Sequence, residues 1–257
     1  MNVHEPADWL QVFWRDGFVV LPGLCEPQCL RSMKDRIAAD LESGRGPVEY
    51  EAEVGYPGAP ATLEVPGGRT VRRLRDALGR DPVFREWACC RALLDPVRSL
   101  LGSHSVRVVR AHHNCIMTKQ PEYSSATAWH QDIRYWSFQR PDLINVWTAL
   151  GHESQDNGGM RLIPGSHRLI MDDAVFDRQR FFRDDRPSNQ ALIEQSVQAD
   201  LAPGDVLLFH AALLHSAGRN RCGEQKLSVV FSYRRHDNLP LPGSRSAECA
   251  DLDPESA

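Results

Sequence analysis

The sequence predicts a mainly β protein with flanking helices, a barrel or two-sheet jelly roll set behind a helical N-terminal portion. Before Gly102, apolar residues recur at helical spacing, as at Leu30, Met33, Ile37 and Leu41. After Gly102 the texture changes to short runs rich in β-branched and aromatic residues. Turn signals separate those runs: Asn157-Gly158-Gly159, Pro164-Gly165 and Pro203-Gly204-Asp205.

Each element follows from local chemistry. Phe18 to Leu21 is a short apolar strand that Pro22-Gly23 ends. Pro27 to Ser43 reads as a helix, with proline at an early helical position and Gly44 as its stop. Residues 44–70, rich in Gly, Pro and Glu, read as an exposed loop or lid. A second helix opens at Asp81-Pro82, turns Phe84, Trp87, Leu94 and Val97 inward, and is expected to break near Pro96. Strands are expected at Val106–Val109, Asn114–Met117, Ile144–Leu150, Met160–Ile163, Val206–His210 and Leu227–Tyr233. The charged stretch Asp172 to Pro187 reads as a surface insertion. No repeat divides the chain, so residues 1–257 are read as one domain: a helical portion to about 101, a β core over about 102–236 and a frayed tail over 240–257.

Composition excludes several functions. Thirty Lys and Arg against 34 Asp and Glu leave a formal charge of −4, which argues against a nucleic-acid partner. No apolar run is long enough to span a membrane, and the N-terminus lacks the pattern of a secretory leader. The seven cysteines include no C-x-x-C pair and are read as reduced thiols of a cytoplasmic protein; Cys89-Cys90 read as packed thiols. These features leave the oligomeric state open.

The segment that carries chemistry is Trp129-His130-Gln131-Asp132. On a strand, residues two apart share a face, so His130 and Asp132 would present an imidazole and a carboxylate together. His215 is the candidate for a second imidazole, while His210 differs from it by an odd number of residues and so in strand parity. Two histidines and one carboxylate form the facial triad of non-haem iron(II) oxygenases. Eleven residues beyond His215, Lys226 and Ser228 share one strand face, where a cation and a hydroxyl could hold a distal carboxylate. A lysine inside a barrel would be costly without an anion to offset it. His112, His113 and His167 read as structural or surface residues, and His152-Glu153 as a turn.

With these residues in view, the chain resembles the phytanoyl-CoA dioxygenase family of iron(II)- and 2-oxoglutarate-dependent oxygenases. The likeness lies in Arg15-Asp-Gly-Phe-Val-Val-Leu-Pro-Gly23, Trp129-His-Gln-Asp-Ile-Arg-Tyr-Trp136, Asn157-Gly-Gly-Met-Arg-Leu-Ile-Pro-Gly-Ser-His167 and Pro203 to Asn220. It implies a double-stranded β-helix (a cupin-like jelly-roll barrel) with iron at one mouth, held by His130, Asp132 and His215. It further implies 2-oxoglutarate and O₂ as co-substrates, and hydroxylation of an unactivated C–H of a small metabolite with release of succinate and CO₂. Presence of Asp132 favours hydroxylation over halogenation. Lys226 falls where the family usually has arginine; Arg219, Arg221 or Arg234 would take the role under a shifted register. Trp147, Gln131, Cys115 and Arg73 match family co-substrate contacts, Gln131 only if the segment bends there. Arg134, Tyr135, Trp136 and Arg161 are the candidate substrate contacts and suggest a small molecule with an anionic group. Two other readings stay open on the residues alone: a jelly-roll binding protein without turnover, and a zinc-dependent hydrolase using the same ligands.

Overall fold

The computed structural model describes residues 6–256. Helix α1 (Pro6–Asp16) leads into strand β1 (Phe18–Leu21), and α2 (Pro27–Ser43) ends at Gly44, whose left-handed φ of 64° returns its N–H to the Asp40 carbonyl. Strands β2 (Val48–Tyr50) and β3 (Val71–Arg75) precede a helical run of α3 (Ala77–Arg80), α4 (Pro82–Cys89) and α5 (Arg91–Leu101). The rest is β4 (Val106–Val108), β5 (Asn114–Lys119), β6 (Thr127–His130), β7 (Leu143–Ala149), β8 (Met160–Leu162), α6 (Pro187–Ile193), β9 (Val197–Gln198), β10 (Val206–His210), β11 (His215–Ala217) and β12 (Lys226–Arg235).

Two antiparallel sheets result. The larger runs β1-β10-β7-β12-β5-β3-β2, with β4 also paired to β12; the smaller runs β6-β11-β8-β9. The mainly β jelly roll with flanking helices is therefore present. The central strands β7 and β10 are buried throughout because the large sheet is covered on both faces, which is why they read as continuous apolar runs instead of alternating ones. Parity still sorts their side chains. Ile144, Val146, Val229, Phe231 and Tyr233 meet the helices, where Phe84, Trp87, Leu93 and Val97 complete one core. Trp147, Leu207, Phe209 and Val230 face the small sheet and form a second core with Met160 and Leu162. Polar pins tie the helix layer down: Trp87 Nε1 donates to Thr148 Oγ1 at 3.0 Å, and the Tyr233 hydroxyl to the Ala88 carbonyl at 2.7 Å.

Several expectations are corrected. The break in the second helix falls at Cys90, which is extended (φ −69°, ψ 147°), while Pro96 lies inside α5. The carbonyl that Pro96 leaves without a partner belongs to Ala92, which is exposed and so open to water. Residues 44–70 are more than an exposed loop. They contribute β2 and bury Glu51, whose carboxylate accepts from the Ser125 N–H and hydroxyl at 3.1 and 2.6 Å. The tail is not frayed: Leu252 bridges Val108, and Asp251 holds Arg234 Nε at 2.6 Å. All seven cysteines are free thiols. No helix among the described residues is long and apolar enough to cross a membrane.

Candidate metal centre and co-substrate cavity

Strand β6 delivers His130, and β11 delivers His215 directly opposite it in the antiparallel register. The chain bends at Gln131, so Asp132 does not continue the strand; it opens a 3₁₀ turn over Asp132–Tyr135. The bend was expected from the awkward position of Gln131, and the placement of Asp132 off the strand was not. His130 Nε2 and His215 Nε2 lie 3.6 and 3.7 Å from the two oxygens of Asp132, and donor atoms of all three residues fall within 4.8 Å of one another. Each imidazole points its other nitrogen at a main-chain carbonyl: His130 Nδ1 at Ala128 O (2.8 Å) and His215 Nδ1 at Leu213 O (3.0 Å). A neutral imidazole that donates from Nδ1 keeps the Nε2 lone pair free for a metal. Burial, helped by the nearby His130, pushes His215 down to about 4, so it is neutral at ordinary pH. For Asp132, burial opposes the charge. The surrounding His113, His215 and His130 outweigh it and hold the carboxyl well below the usual carboxylate range. Asn145 of β7 donates to Asp132 Oδ2 at 2.8 Å and fixes its orientation. The donor set thus fits a divalent ion that takes two nitrogens and one oxygen and leaves positions open.

A cavity of about 290 Å³ adjoins these three residues. Trp147 and Lys226 line it, as do Arg73, now on β3, and the aromatic pair Tyr135 and Trp136. Other expected contacts are turned elsewhere. Gln131 is buried against the Ala212 carbonyl and accepts from Arg134 Nε at 2.8 Å, bracing the bend. Cys115 packs in the second core and lines a neighbouring hollow. Arg134 pairs with Asp173 at 2.7 Å and lies over Phe176, and Arg161 donates to Ser196 Oγ and sits above Trp129. Arg219 donates to the carbonyls of Ser124 and Glu122, and Arg234 is paired with Asp251. Ser228 is buried beside Lys226, whose Nζ lies 3.3 Å from its hydroxyl.

Three features were missed by sequence reasoning. Glu153, read as a turn residue, is buried, and its carboxylate accepts from Lys226 Nζ (2.9 Å), Ser228 Oγ (2.6 Å) and Trp147 Nε1 (3.0 and 3.1 Å). His113, read as structural or surface, stands 3.7 Å from Asp132 Oδ1. Its signal was available, since residues 113, 115, 117 and 119 share the inward parity of β5. Tyr56 and Phe181, from two loops remote in sequence, stack edge-on at 5.5 Å, with Phe181 6.1 Å from the His130 ring. Nothing local in the sequence pairs them.

Comparison with known proteins decides the family. The family model described as phytanoyl-CoA dioxygenase (PhyH) matches residues 13–226. The chain belongs to the phytanoyl-CoA dioxygenase family. It is similar to the L-proline trans-4-hydroxylase of Streptomyces griseoviridis, 24% identical over 93% of this chain and 91% of that protein. It is also similar to the human peroxisomal phytanoyl-CoA dioxygenase, 28% identical over 61% of this chain and 47% of the human protein, so it spans about half of that relative. Among solved structures, the epimerase SnoN in complex with Fe³⁺, alpha ketoglutarate and nogalamycin RO superposes with a TM-score of 0.73 at 21% identity, covering 96% of this chain and 94% of SnoN. The protein is an iron- and 2-oxoglutarate-dependent dioxygenase with the family's jelly roll, and O₂ is its oxidant.

Proposed function

We propose that the enzyme hydroxylates an unactivated C–H of a small, carboxylate-bearing metabolite, with iron(II) held by His130, Asp132 and His215. The observation that carries the metal assignment is the convergence of two Nε2 atoms, each freed by an Nδ1–carbonyl bond, on one buried carboxylate. Iron with chelated 2-oxoglutarate would supply the oxidising chemistry; the chain supplies position and a dry site. Asn145 and His113 hold the Asp132 carboxylate in its charged form, and Tyr56 and Phe181 restrict water over His130. Lys226 marks the far end of the cavity, where a second carboxylate is received.

The substrate class follows from the mouth of the cavity. Arg73 and Arg245 offer positive charge there, Glu49 negative charge, and Tyr135 and Trp136 flat apolar surface. That mixture suits a small zwitterion or amino-acid-like acid, in line with the proline hydroxylase relative. A volume of about 290 Å³ leaves no room for a coenzyme A thioester inside.

Anaerobic addition of iron(II) and 2-oxoglutarate should produce a visible charge-transfer band, and coupled succinate release should identify substrates among small amino and imino acids. Asp132→Ala should lose both the band and succinate formation. Wild-type turnover in that variant would remove the triad assignment.

A further inference from the structure

The cavity end farthest from the metal ligands carries two lysines. Lys226 on β12 and Lys119 on β5 are direct cross-strand partners, both buried and both on the lumen face. Like charges opposed across two strands repel. The chain answers only one of them: Glu153 lies 2.9 Å from Lys226 Nζ and also takes the Ser228 hydroxyl and the Trp147 indole N–H. Lys226 and Ser228, the pair read from the sequence as the carboxylate anchor, are thus already bound to a carboxylate of this chain. Lys119 has no such partner among the described residues. Its ammonium donates to the Ser125 carbonyl at 2.7 Å, and no carboxylate lies within ion-pair distance. Its stem runs over Gly158, where an added Cβ would stand 2.6 Å from Lys119 Cδ, so the Asn157-Gly158 turn leaves room for this lysine. Around it, Lys226 and Arg72 add positive charge and Glu51 and Glu153 negative charge, and Glu153 is within ion-pair distance of Lys226, not of Lys119.

We propose that Lys119 supplies the charge that receives the distal carboxylate of 2-oxoglutarate, Lys226 and Ser228 being held by Glu153. This rests on the oxygenase reading above. Burial beside Lys226 and Arg72 pushes Lys119 down to about 7, and an arriving carboxylate would restore its ordinary basicity, so binding near pH 7.5 takes up a proton.

The test is calorimetric titration of the Mn²⁺-loaded protein with 2-oxoglutarate and with 2-oxobutyrate, which chelates alike but lacks the distal carboxylate, in two buffers of different ionisation heat. Wild type should prefer 2-oxoglutarate by about tenfold or more, with proton uptake. Lys119→Met should abolish both preference and uptake, and Lys119→Arg should keep the preference. The double variant Glu153→Gln/Lys226→Gln removes the internal ion pair without stranding a charge, and it should keep the preference within threefold. Preference is a ratio taken within each variant, so partial loss of folded protein leaves it readable. Preference retained in Lys119→Met, or lost in the double variant, would overturn the proposal and return the anchor to Lys226. Equal wild-type affinity for the two ketoacids would overturn it while leaving the oxygenase reading intact; failure of wild type to bind either would overturn both.

Discussion

His210 shows how burial sets chemistry at the level of one side chain. Its Nδ1 accepts the Ala212 N–H at 3.0 Å, so the ring is held neutral, and burial, with His167 nearby, pushes it down to about 4. An unfolded chain holds this imidazole near 6.5. As pH falls below 6.5 the unfolded state therefore takes up a proton that the folded state refuses. Stability present above that pH declines until about pH 4 and no further, a loss of about 3 kcal/mol from this residue. Urea midpoints at pH 7.5 and 4.5 should show it, and His210→Asn, which keeps an acceptor, should narrow the gap by about that amount. Asn145 works at the same scale. Asn145→Ala removes a donor from Asp132, and should weaken metal affinity by about tenfold or more in a Mn²⁺ titration.

At the scale of elements, the tail acts as a strap. Leu252 bridges β4 and Asp251 closes on Arg234 of β12, with both side chains of that ion pair buried. Removing one member strands the other, a change that costs about 3–5 kcal/mol when a buried pair is broken. Asp251→Asn should lower the unfolding midpoint accordingly, whereas trimming Glu255 and the residues after it should do far less. The helix layer is pinned in the same manner. Trp87→Ala would lose core volume and the Thr148 bond together, and should cost about 3–5 kcal/mol in chemical denaturation.

Across the whole molecule, what could be read from the chain divides by range. Strands β5, β7, β10 and β12 were legible because their apolar runs are bounded by turn residues. His130, Asp132 and His215 were legible because two sit two residues apart and the third lies in a motif of its own. Glu153 was not. Its inward aim depends on main-chain bonds to Leu201, 48 positions away in the chain, and a local reading sees only a polar residue after a strand. Tyr56 and Phe181 escaped for the same reason. Arg134 and Arg161 were over-read, since cations after a metal motif look like ligands for a substrate until their partners Asp173 and Ser196 are seen. A metal that binds only the folded state should stabilise the wild type by about 2.7 kcal/mol at a hundredfold excess over its dissociation constant, seen as a raised thermal midpoint, and should leave the midpoint of Asp132→Ala unmoved.

The pairing of His130 with His215 across β6 and β11 has a further consequence. The antiparallel pairing of those strands sets the two imidazoles opposite each other, a placement fixed by the backbone and not by a bond to an ion. Such a socket is cut before its occupant arrives, so it cannot reject a wrong divalent ion by staying unfolded. Zinc, cobalt or nickel should seat there readily, as their general ranking over ferrous iron dictates. Loading with the right ion then falls to what the surroundings supply.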